Sequence, residues 1–425
     1  MRKPALFAYS VFFPLIAGIA RLFAPFSPRL RNFFTLRDRI FEELEQKLYG
    51  IQTAKARLWV HAASVGEFEQ ARPVITALKE KYPDLSVVVS FFSDSGFNAR
   101  RNYPDADAVF YLPADTAANA KRLVKLLDPD IMMLMRYDFW PNHLMAAKKH
   151  GANVVLAAAV LQSASQYHNP ILNEFYRAVF SLFDRIWTVS DKDTVTFRQL
   201  FGCMQAETAG DPRFDQVIRR SRETGKVENF RKYFADRTVL VGGSVWEKDE
   251  TLLVEAWTQL QNKPDLILVP HKVDPDNIDR LCGLLESRSI TCTRASVLGP
   301  GFDPDRSVLV VDQTGFLLEL YSIASIAYVG GGFGVNVHNT LEPAVFGIPV
   351  LFGPRIHNSP EAEALVATGG GTVVKTAGDL KKKLEDYTTD PHCRNKAGSA
   401  AARFVDERKG AAQYIVKGLE TLLEQ

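Results

Sequence analysis

The strongest constraint on the fold is a repeated alternation of short, continuously apolar segments with helix-like segments. The first series begins at Leu58 and comprises residues 58–64, 86–92, 108–113, 131–135, 153–159 and 185–190. After a charged stretch that ends near Arg237, a second series comprises residues 238–244, 265–270, 307–312, 326–332, 349–354 and 372–376. Strands that are apolar on both faces and alternate with helices are typical of a parallel sheet covered on both sides. The sequence therefore predicts two α/β halves with a cleft between them.

Length and composition agree with two folded domains. The chain has 425 residues, which is enough for two or three domains. The net charge is only +2, from 51 basic and 49 acidic residues, so the overall charge gives no reason to expect nucleic acid as a partner. The four cysteines lack CxxC spacing, which predicts neither a disulfide framework nor a zinc site.

The N-terminal segment predicts a membrane anchor. The run from Ala5 to Ala20 carries no charge and comes close to the roughly 17 apolar residues that a bilayer span requires. A flank with four arginines follows: Arg29, Arg31, Arg37 and Arg39. Basic residues interleaved with Phe33 and Phe34 suit a membrane surface with anionic lipid. The alternatives are a soluble amphipathic helix packed on the core and a cleaved signal peptide.

The stretch Tyr328–Pro354 predicts an anion-binding turn. A buried strand leads into a loop with several glycines, and Asn339 then stands where a helix N-cap is expected. Glycines allow close approach of the backbone to a ligand, and free N–H groups at a helix N-terminus favour an anion. Glu342 would lie in the first helical turn, where its carboxylate can accept a hydrogen bond from a ribose. The alternative is an ordinary strand-to-helix turn.

Polar side chains also follow strand ends of the first half, where open α/β sheets bind ligands. Glu67 can act as a base toward a hydroxyl if it is partly desolvated, although Ser64-x-x-Glu67 also fits a capping box. Asp138 follows residues 131–135 directly, and a plain helix start with a structural tryptophan is its alternative. His61 stands alone on a strand, where a satisfied core histidine is more common than a catalyst.

Two segments of the second half have the same placement. Ser244 follows two glycines at the end of one predicted strand, and His271 and Lys272 follow the end of the next. Both basic residues would face an anion bound to the glycine-rich loop. A solvated charged turn is the alternative for each.

Together these segments resemble the 3-deoxy-D-manno-octulosonic acid (Kdo) transferases of lipopolysaccharide synthesis. The segments are SVGE, DFWPN, GDPRFD, GGS, VPHK and GGGFG…HNTLEPAVFGIPVLFGP. The likeness runs in order from about residue 5 to about residue 370, and it is most specific in WVHAASVGE and in the HNTLEPAVFGIPVLFGP block.

The resemblance implies the GT-B glycosyltransferase architecture, with two Rossmann-like domains facing a central cleft and an N-terminal membrane-anchor helix. It implies inverting transfer of Kdo from CMP-Kdo to a lipid A precursor on the cytoplasmic face of the inner membrane. The expected boundaries are an anchor with basic flank at 1–40, an acceptor domain at 41–215, a CMP-Kdo-binding domain at 216–406, and a helix at 407–425 that packs back on the acceptor domain.

The resemblance also assigns roles to residues. Glu67 matches the family's catalytic base and Asp138 matches a family acidic residue, while Ser64 and Gly66 are expected to contact the acceptor. The expected donor contacts are Ser244, His271, Lys272, Gly331, Gly332, Gly334, Asn339 and Glu342. No metal and no cofactor are predicted, because no Asp-x-Asp metal motif stands out and a helix N-terminus can stabilise a leaving phosphate.

Three segments depart from the family pattern. Arg136 and Tyr137 replace the first two positions of Glu-Thr-Glu-x-Trp-Pro-Asn, His271-Lys272 replaces Arg-His, and Val245-Trp246 replaces Thr-His. These departures fit a divergent branch of the family better than a change of reaction. The alternatives are another GT-B sugar-nucleotide transferase or epimerase, and a non-catalytic, membrane-bound sugar-binding module.

Overall fold

The strands form two parallel sheets, each within its own unit of the chain. A computed structural model describes residues 4–49, 51, 56–161, 167 and 169–424. Unit 1 is Met1–Gln216 with Lys409–Gln425, and unit 2 is Val217–Arg408. In the described part of the chain, each unit holds one sheet of seven strands.

The first half of the chain alternates helices with strands. It begins with α1 Pro4–Phe23, a 3-10 turn Ala24–Phe26, α2 Pro28–Asp38 and α3 Ile40–Leu48. There follow β1 Arg57–Ala62, α4 Val65–Lys81, β2 Ser86–Phe91, α5 Asp94–Arg100, β3 Ala108–Tyr111, α6 Ala117–Leu127, β4 Ile131–Met135, α7 Pro141–His150, β5 Asn153–Ala159, α8 Pro170–Phe180, β6 Arg185–Thr188, α9 Asp191–Phe201, β7 Ala206–Thr208 and α10 Pro212–Arg220.

The second half repeats the alternation. Its elements are a 3-10 turn Gly225–Val227, α11 Glu228–Phe234, β8 Val239–Val245, α12 Glu247–Thr258, β9 Asp265–Pro270, α13 Pro275–Ser287, β10 Thr291–Arg294, a 3-10 turn Ala295–Val297, β11 Ser307–Val310, α14 Leu317–Leu320, a 3-10 turn Tyr321–Ile323, β12 Ile326–Val329, α15 Leu341–Ala344, β13 Val350–Phe352, α16 Pro360–Ala367, β14 Gly371–Val373, α17 Ala377–Thr389, α18 Pro391–Asp406 and α19 Ala411–Leu423.

The strand order of each sheet reverses at one point. The sheet of unit 1 has the order β3-β2-β1-β4-β5-β6-β7, so the reversal lies between β1 and β4. The sheet of unit 2 has the order β10-β11-β9-β8-β12-β13-β14, and its reversal lies between β8 and β12. Helices on both faces bury the strands, as the continuous apolar segments predicted: every residue of β2 and of β4 is buried. Loops at such a reversal leave a crevice in which Rossmann-type sheets bind ligands.

The last helix, α19, belongs to unit 1. It packs on α4, where Glu420 pairs with Lys81 at 2.6 Å. Gly418 faces the fully buried ring of Trp187, so closely that an added Cβ would clash with it. The chain therefore returns to its first unit after completing the second.

Helix α1 packs on unit 1 with one side only. Leu6 is buried, Ser10 donates to Asn142 Oδ1 at 2.6 Å, and the ring of Phe13 meets Trp140 edge-on at 6.2 Å. The other side is exposed and apolar: Phe7, Val11, Phe12, Leu15, Ile16, Ile19, Leu22 and Phe23. By length and composition, the segment Pro4–Phe26 could also cross a membrane.

Arg37 is an exception to the prediction that the four arginines of the basic flank suit a membrane surface. Its guanidinium is buried, donates to the carbonyls of Leu112 at 2.9 Å and Phe92 at 2.6 Å, and lies over the Phe33 ring. Burial lowers the pKa of Arg37 to about 10. Because these groups use its donors, Arg37 ties α2 to the sheet and cannot serve a lipid surface.

Candidate active site

The candidate chemical groups of unit 1 meet where the strand order reverses. Glu67 lies in the first turn of α4, just beyond β1, and Asp138 lies in the loop that follows β4. Since β1 and β4 are parallel neighbours, with His61 opposite Leu134, both loops emerge from the same edge of the sheet. The structure thus brings together two side chains that are 71 residues apart in the sequence.

Hydrogen bonds with Ala63 and Ser64 fix the position of Glu67. Its Oε2 accepts a hydrogen bond from the Ala63 N–H at 2.7 Å, and its own N–H donates to Ser64 Oγ at 3.5 Å. The capping alternative is thus half right, since Ser64 is the N-cap, but the carboxylate bonds one residue before the cap. Burial raises the pKa of Glu67, against the lowering effect of the Ala63 N–H, and the charge of Asp138 raises it further. A carboxylate with a raised pKa is a better proton acceptor once ionised.

Asp138 has the opposite environment because His61 faces it. His61 Nε2 donates to Asp138 Oδ2 at 2.9 Å, and Trp140 Nε1 donates to the same oxygen at 3.0 Å. Burial raises the pKa of Asp138, but the hydrogen bond and charge of His61 outweigh it, so the pKa lies below its ordinary value. As the pH falls, Glu67 is therefore protonated before Asp138.

Both ring nitrogens of His61 take part in hydrogen bonds. Trp59 Nε1 can only donate, and it donates to Ser90 Oγ at 2.8 Å, while Ser90 Oγ lies 2.9 Å from His61 Nδ1. With Asp138 ionised, Nε2 carries a proton, and Nδ1 shares a hydrogen bond with the Ser90 hydroxyl. The interpretation of His61 as a core residue was incomplete: it is 1% exposed, yet it also orients Asp138. The position of His61 near the end of a strand was the sequence feature that could have indicated this role.

Arg136 stands where the family has an acid. Its backbone is left-handed, with φ of 62°, and its Nε donates to Gln70 Oε1 at 3.2 Å. Its charge favours the ionised form of Glu67. Gly66, beside Glu67, has open space around its Cα, and the acceptor roles of Ser64 and Gly66 stay predictions.

A pocket of about 290 Å³ lies in unit 2 beside the reversal between β8 and β12. Its lining comprises Arg220, Ser244, Gly315, Phe316, Leu317, Leu318, Tyr321, Val329, His338, Asn339 and Glu342. Three predicted donor contacts, Ser244, Asn339 and Glu342, are thus brought together. The predicted residues Gly331, Gly332 and Gly334, and also His271 and Lys272, are not part of this lining. Arg220, in the charged stretch between the two strand series, gave no sequence signal.

The glycine-rich loop is built differently from the prediction of free N–H groups. The Gly330 N–H donates to Gly243 O at 2.9 Å, the Gly331 N–H to Asp249 Oδ2 at 2.8 Å, and the Gly334 N–H to Gly331 O at 3.1 Å. Glycine is needed for close packing at Gly331, which has φ of 93°, and at Gly332, where a Cβ would meet Gly353. Gly334 has open space around it. These glycines shape the loop, and three of its N–H groups are already used.

Asp249 is the anchor of this loop. The carboxylate is fully buried and also accepts hydrogen bonds from Tyr328 Oη at 2.8 Å and from the Trp246 N–H at 3.0 Å. It therefore joins β12, the start of α12 and the loop glycine Gly331.

The expected helix after the loop is shorter than predicted. Helix α15 has four residues, Leu341–Ala344, and its N-cap is Thr340 rather than Asn339. Asn339 instead accepts a hydrogen bond from the Leu341 N–H through its side chain at 3.1 Å. Gly347, with φ of 69°, turns the chain away within one further turn. A helix this short sums few peptide dipoles, so side chains carry most of the positive potential here.

Three aromatic rings, those of Trp246, His271 and His338, stack close to this loop. Trp246 Nε1 donates to His338 Nε2 at 2.8 Å, which makes the two rings nearly coplanar, at 6°. His271 stacks on both, with centroids 4.5 Å away from each. Burial lowers the pKa of both histidines. The charge of Lys272 lowers the pKa of His271 further, and the repulsion that would arise if both rings were protonated lowers the pKa of His338 further. Both imidazoles are therefore neutral near pH 7, and Lys272 supplies the fixed charge.

The acid at the pocket wall also has basic neighbours. Glu342 Oε1 lies 3.6 Å from Arg220 Nη1, and Arg220 Nη2 lies 3.7 Å from Glu319 Oε1. Lys226 approaches the same Glu319 oxygen at 3.9 Å. The wall thus combines one carboxylate, Glu342, that can accept from a sugar hydroxyl with one cation, Arg220, that can meet a phosphate.

Comparison with known proteins bears on these two sites. Residues 38–216, which include Glu67 and Asp138, match the family described as 3-Deoxy-D-manno-octulosonic-acid transferase (kdotransferase). The chain is a relative of the Kdo transferases. The 3-deoxy-D-manno-octulosonic acid transferase of Chlamydophila psittaci is 29% identical over 83% of this chain and 82% of its own length. That of Haemophilus influenzae is 24% identical over 87% of each. The resemblance predicted from the sequence is confirmed, and these homologues indicate a glycosyltransferase.

Solved structures agree on the fold. A glycosyltransferase from Rickettsia africae has a TM-score of 0.55 and 13% identity, covering 87% of this chain and 98% of that one. The UDP-GlcNAc 2-epimerase from Neisseria meningitidis has a TM-score of 0.55 and 15% identity, covering 86% of this chain and 100% of that one. The predicted α/β architecture of GT-B type, with two Rossmann-like domains, is confirmed.

We expect Asp249→Asn to destabilise unit 2. The amide places an N–H₂ group against N–H and O–H donors, so at least one of them loses its acceptor. Because a hydrogen bond to a charged group contributes about 1.5–3 kcal/mol, the free energy of unfolding should fall by roughly that amount in denaturant titrations. Asp274→Asn is the matched control, since Asp274 is an exposed N-cap and asparagine caps equally well. Equal, small changes in both variants would show that Asp249 does not anchor the loop.

Proposed function

We propose that this protein transfers Kdo from CMP-Kdo to a hydroxyl group of a lipid A precursor, with inversion at the anomeric carbon. The observation that carries the proposal is Glu67, a buried carboxylate with a raised pKa, beside the ionised Asp138–His61 pair. The similarity to Kdo transferases supports the choice of sugar.

Glu67 is the general base in the proposed reaction. Its carboxylate accepts the proton of the acceptor hydroxyl as the hydroxyl oxygen attacks the anomeric carbon. The bond from that carbon to the CMP phosphate breaks, and CMP leaves with the electron pair. Asp138 does not compete for the proton because its pKa is lowered, and its negative charge favours the developing positive charge on the sugar.

Unit 2 holds the donor in this proposal. Glu342 accepts a hydrogen bond from the ribose, and the 290 Å³ pocket around it receives the cytidine. Ser244 and Asn339 line the pocket, and His271 stacks on His338, another residue of its lining. Lys272 and the neutral imidazole of His271 meet the phosphate.

The direct test incubates purified protein with CMP-Kdo and a tetra-acylated lipid A precursor and follows the product by mass. A product heavier by one or more Kdo residues supports the proposal, and the number of residues follows from the mass. UDP-GlcNAc is the control donor, because a protein of this fold in Neisseria meningitidis binds it. Turnover of UDP-GlcNAc without Kdo transfer would contradict the proposal.

We expect Glu67→Gln to lower kcat by at least about 100-fold, the usual contribution of a general base. The amide oxygen can still accept from the Ala63 N–H, so the fold and CMP binding should be retained. Steady-state transfer and CMP affinity are measured together. Glu80→Gln, an exposed change on the same helix, is the matched control and should leave kcat unchanged.

The pH dependence gives Glu67 a second signature. A base must be ionised, so the rate should fall as pH decreases through the Glu67 pKa, which burial places above the ordinary value. This acid limb should be missing from the residual activity of Glu67→Gln. Wild-type turnover in that variant would remove Glu67 from the mechanism.

We expect Glu342→Ala to raise the KM for CMP-Kdo about tenfold or more, since the loss of a hydrogen bond to a charged group costs about 1.5–3 kcal/mol. The KM for the acceptor should stay nearly unchanged. Glu255→Ala, at an exposed position of α12, controls for the change in net charge. An unaltered donor KM would place the ribose elsewhere.

We propose further that α1 attaches the protein to the inner membrane, with the catalytic units on the cytoplasmic side. Because one side of α1 packs on α7 and α8, the exposed apolar side suits a helix lying in the interface rather than one crossing it. Arg29, Arg31 and Arg39 are exposed nearby and can meet anionic lipid.

We expect the triple variant Leu15→Gln, Ile16→Gln, Ile19→Gln to lose binding to anionic vesicles by roughly 100-fold or more, because each apolar side chain contributes about 1.5–3 kcal/mol when fully buried. Sedimentation with vesicles measures this. Removing residues 1–26 is a blunter test, since it also uncovers Trp140 and Phe175. Val195→Gln with Met204→Gln, exposed elsewhere on unit 1, is the control. Unchanged sedimentation of the triple variant would exclude α1 as the anchor.

A further inference from the structure

Another cavity lies in unit 1, and neither Glu67 nor Asp138 lines it. It measures about 800 Å³ and lies between the start of α1 and the facing sides of α6 and α7. Its apolar wall is formed by Leu6, Val124, Met145, Ala146 and Leu182. The volume is in the range of sites for organic ligands, and the apolar wall favours a hydrocarbon.

The rim of this cavity is basic. Lys121, Lys125 and Lys149 line it, and all three are exposed and have no carboxylate partner among the residues that the structure describes. His150 also lines it, but its Nε2 pairs with Asp128 Oδ1 at 2.6 Å. Three uncompensated ammonium groups beside an apolar wall match a ligand with a hydrocarbon chain and an anionic head.

The cavity is continuous with the exposed apolar side of α1. Phe7 lines the cavity and is also 54% exposed on that side of the helix. A chain that leaves the hydrocarbon region next to α1 would therefore meet apolar surface all the way into the cavity.

The basic rim is distant from the candidate reaction centre. Helix α7 begins at Pro141, three residues after Asp138, and ends at His150. Ten helical residues span about 15 Å, so Lys149 lies roughly one helix length from the end that carries the chemistry. A head group bound at Lys149 is therefore not presented to Glu67.

We propose that this cavity binds one acyl chain of an anionic membrane phospholipid, with the phosphate of the head group against Lys121, Lys125 and Lys149. The proposal rests on the attachment of α1 to a membrane. A bound lipid would fasten α1, α6 and α7 to the bilayer at a point separate from the acceptor.

The experiment uses the full chain with vesicles of phosphatidylglycerol or of phosphatidylcholine, each containing the same lipid with a diazirine in its acyl chain. After irradiation, labelled peptides are identified by mass, and sedimentation is measured in parallel. We expect label on α6 and α7 around Val124 and Met145 from phosphatidylglycerol, and at least fivefold less from phosphatidylcholine.

Two variants test the two parts of the cavity. Ala146→Phe fills the apolar wall and should remove the label from α6 and α7 while sedimentation persists. Lys121→Gln with Lys125→Gln and Lys149→Gln should abolish the preference for phosphatidylglycerol; these surface changes leave the core intact. Exposed lysines elsewhere provide a control of equal charge: Lys192→Gln, Lys382→Gln and Lys417→Gln.

The outcomes separate this proposal from the proposed membrane attachment. Wild-type protein that fails to sediment with vesicles would overturn both. Wild-type protein that sediments but carries label only on the exposed side of α1, around Phe12 and Ile16, would overturn the cavity site alone. Equal labelling by both lipids, unchanged labelling of Ala146→Phe, or label from a photoactivatable lipid A precursor with none from phospholipid would also overturn it.

Discussion

The reversal of strand order in each sheet is the constraint on which the candidate sites depend. Neighbouring strands β1 and β4 carry their connections to opposite sides, so the loops beyond them leave a crevice. Glu67 stands in the first helical turn after β1 and Asp138 in the loop after β4, while Ser244 lies near the end of β8 and the glycine loop follows β12. Because both faces of these parallel strands are buried, the strand ends have fixed positions. The residues just beyond them are therefore also held in place.

Two carboxylates at one strand edge receive different properties from their neighbours. Glu67 has a single backbone N–H donor and is buried, so its pKa rises. Asp138 has two side-chain donors, His61 and Trp140, so its pKa falls despite burial. Separation of the pKa values of two neighbouring acids is the usual way in which a site assigns one acid to proton transfer and the other to charge stabilisation.

In unit 2, buried polar groups shape the backbone while exposed ones remain available. The carboxylate of Asp249 accepts hydrogen bonds from Gly331, Tyr328 and Trp246, and these bonds fix the glycine loop. The hydrogen bond between Trp246 and His338 keeps their two rings nearly coplanar, and His271 stacks on both. The departure from the family at Trp246 thus has a structural partner in this chain: the indole N–H occupies His338 Nε2, and the two rings form a platform for His271.

The sequence alone determined the twelve predicted strands, the two-unit α/β architecture, the positions of Glu67 and Asp138 beyond strand ends and that of Glu342 in the first turn of a helix, because apolar continuity and chain order are local properties. It missed the edge strands β7 and β10, which are short and incompletely buried and so lack an apolar signature. Only the tertiary structure paired His61 with Asp138, placed Arg220 beside Glu342, used the loop N–H groups internally, and buried Arg37. Each of these depends on a contact between residues far apart in the chain, and the energy of such a contact is set by the burial and geometry that packing alone creates.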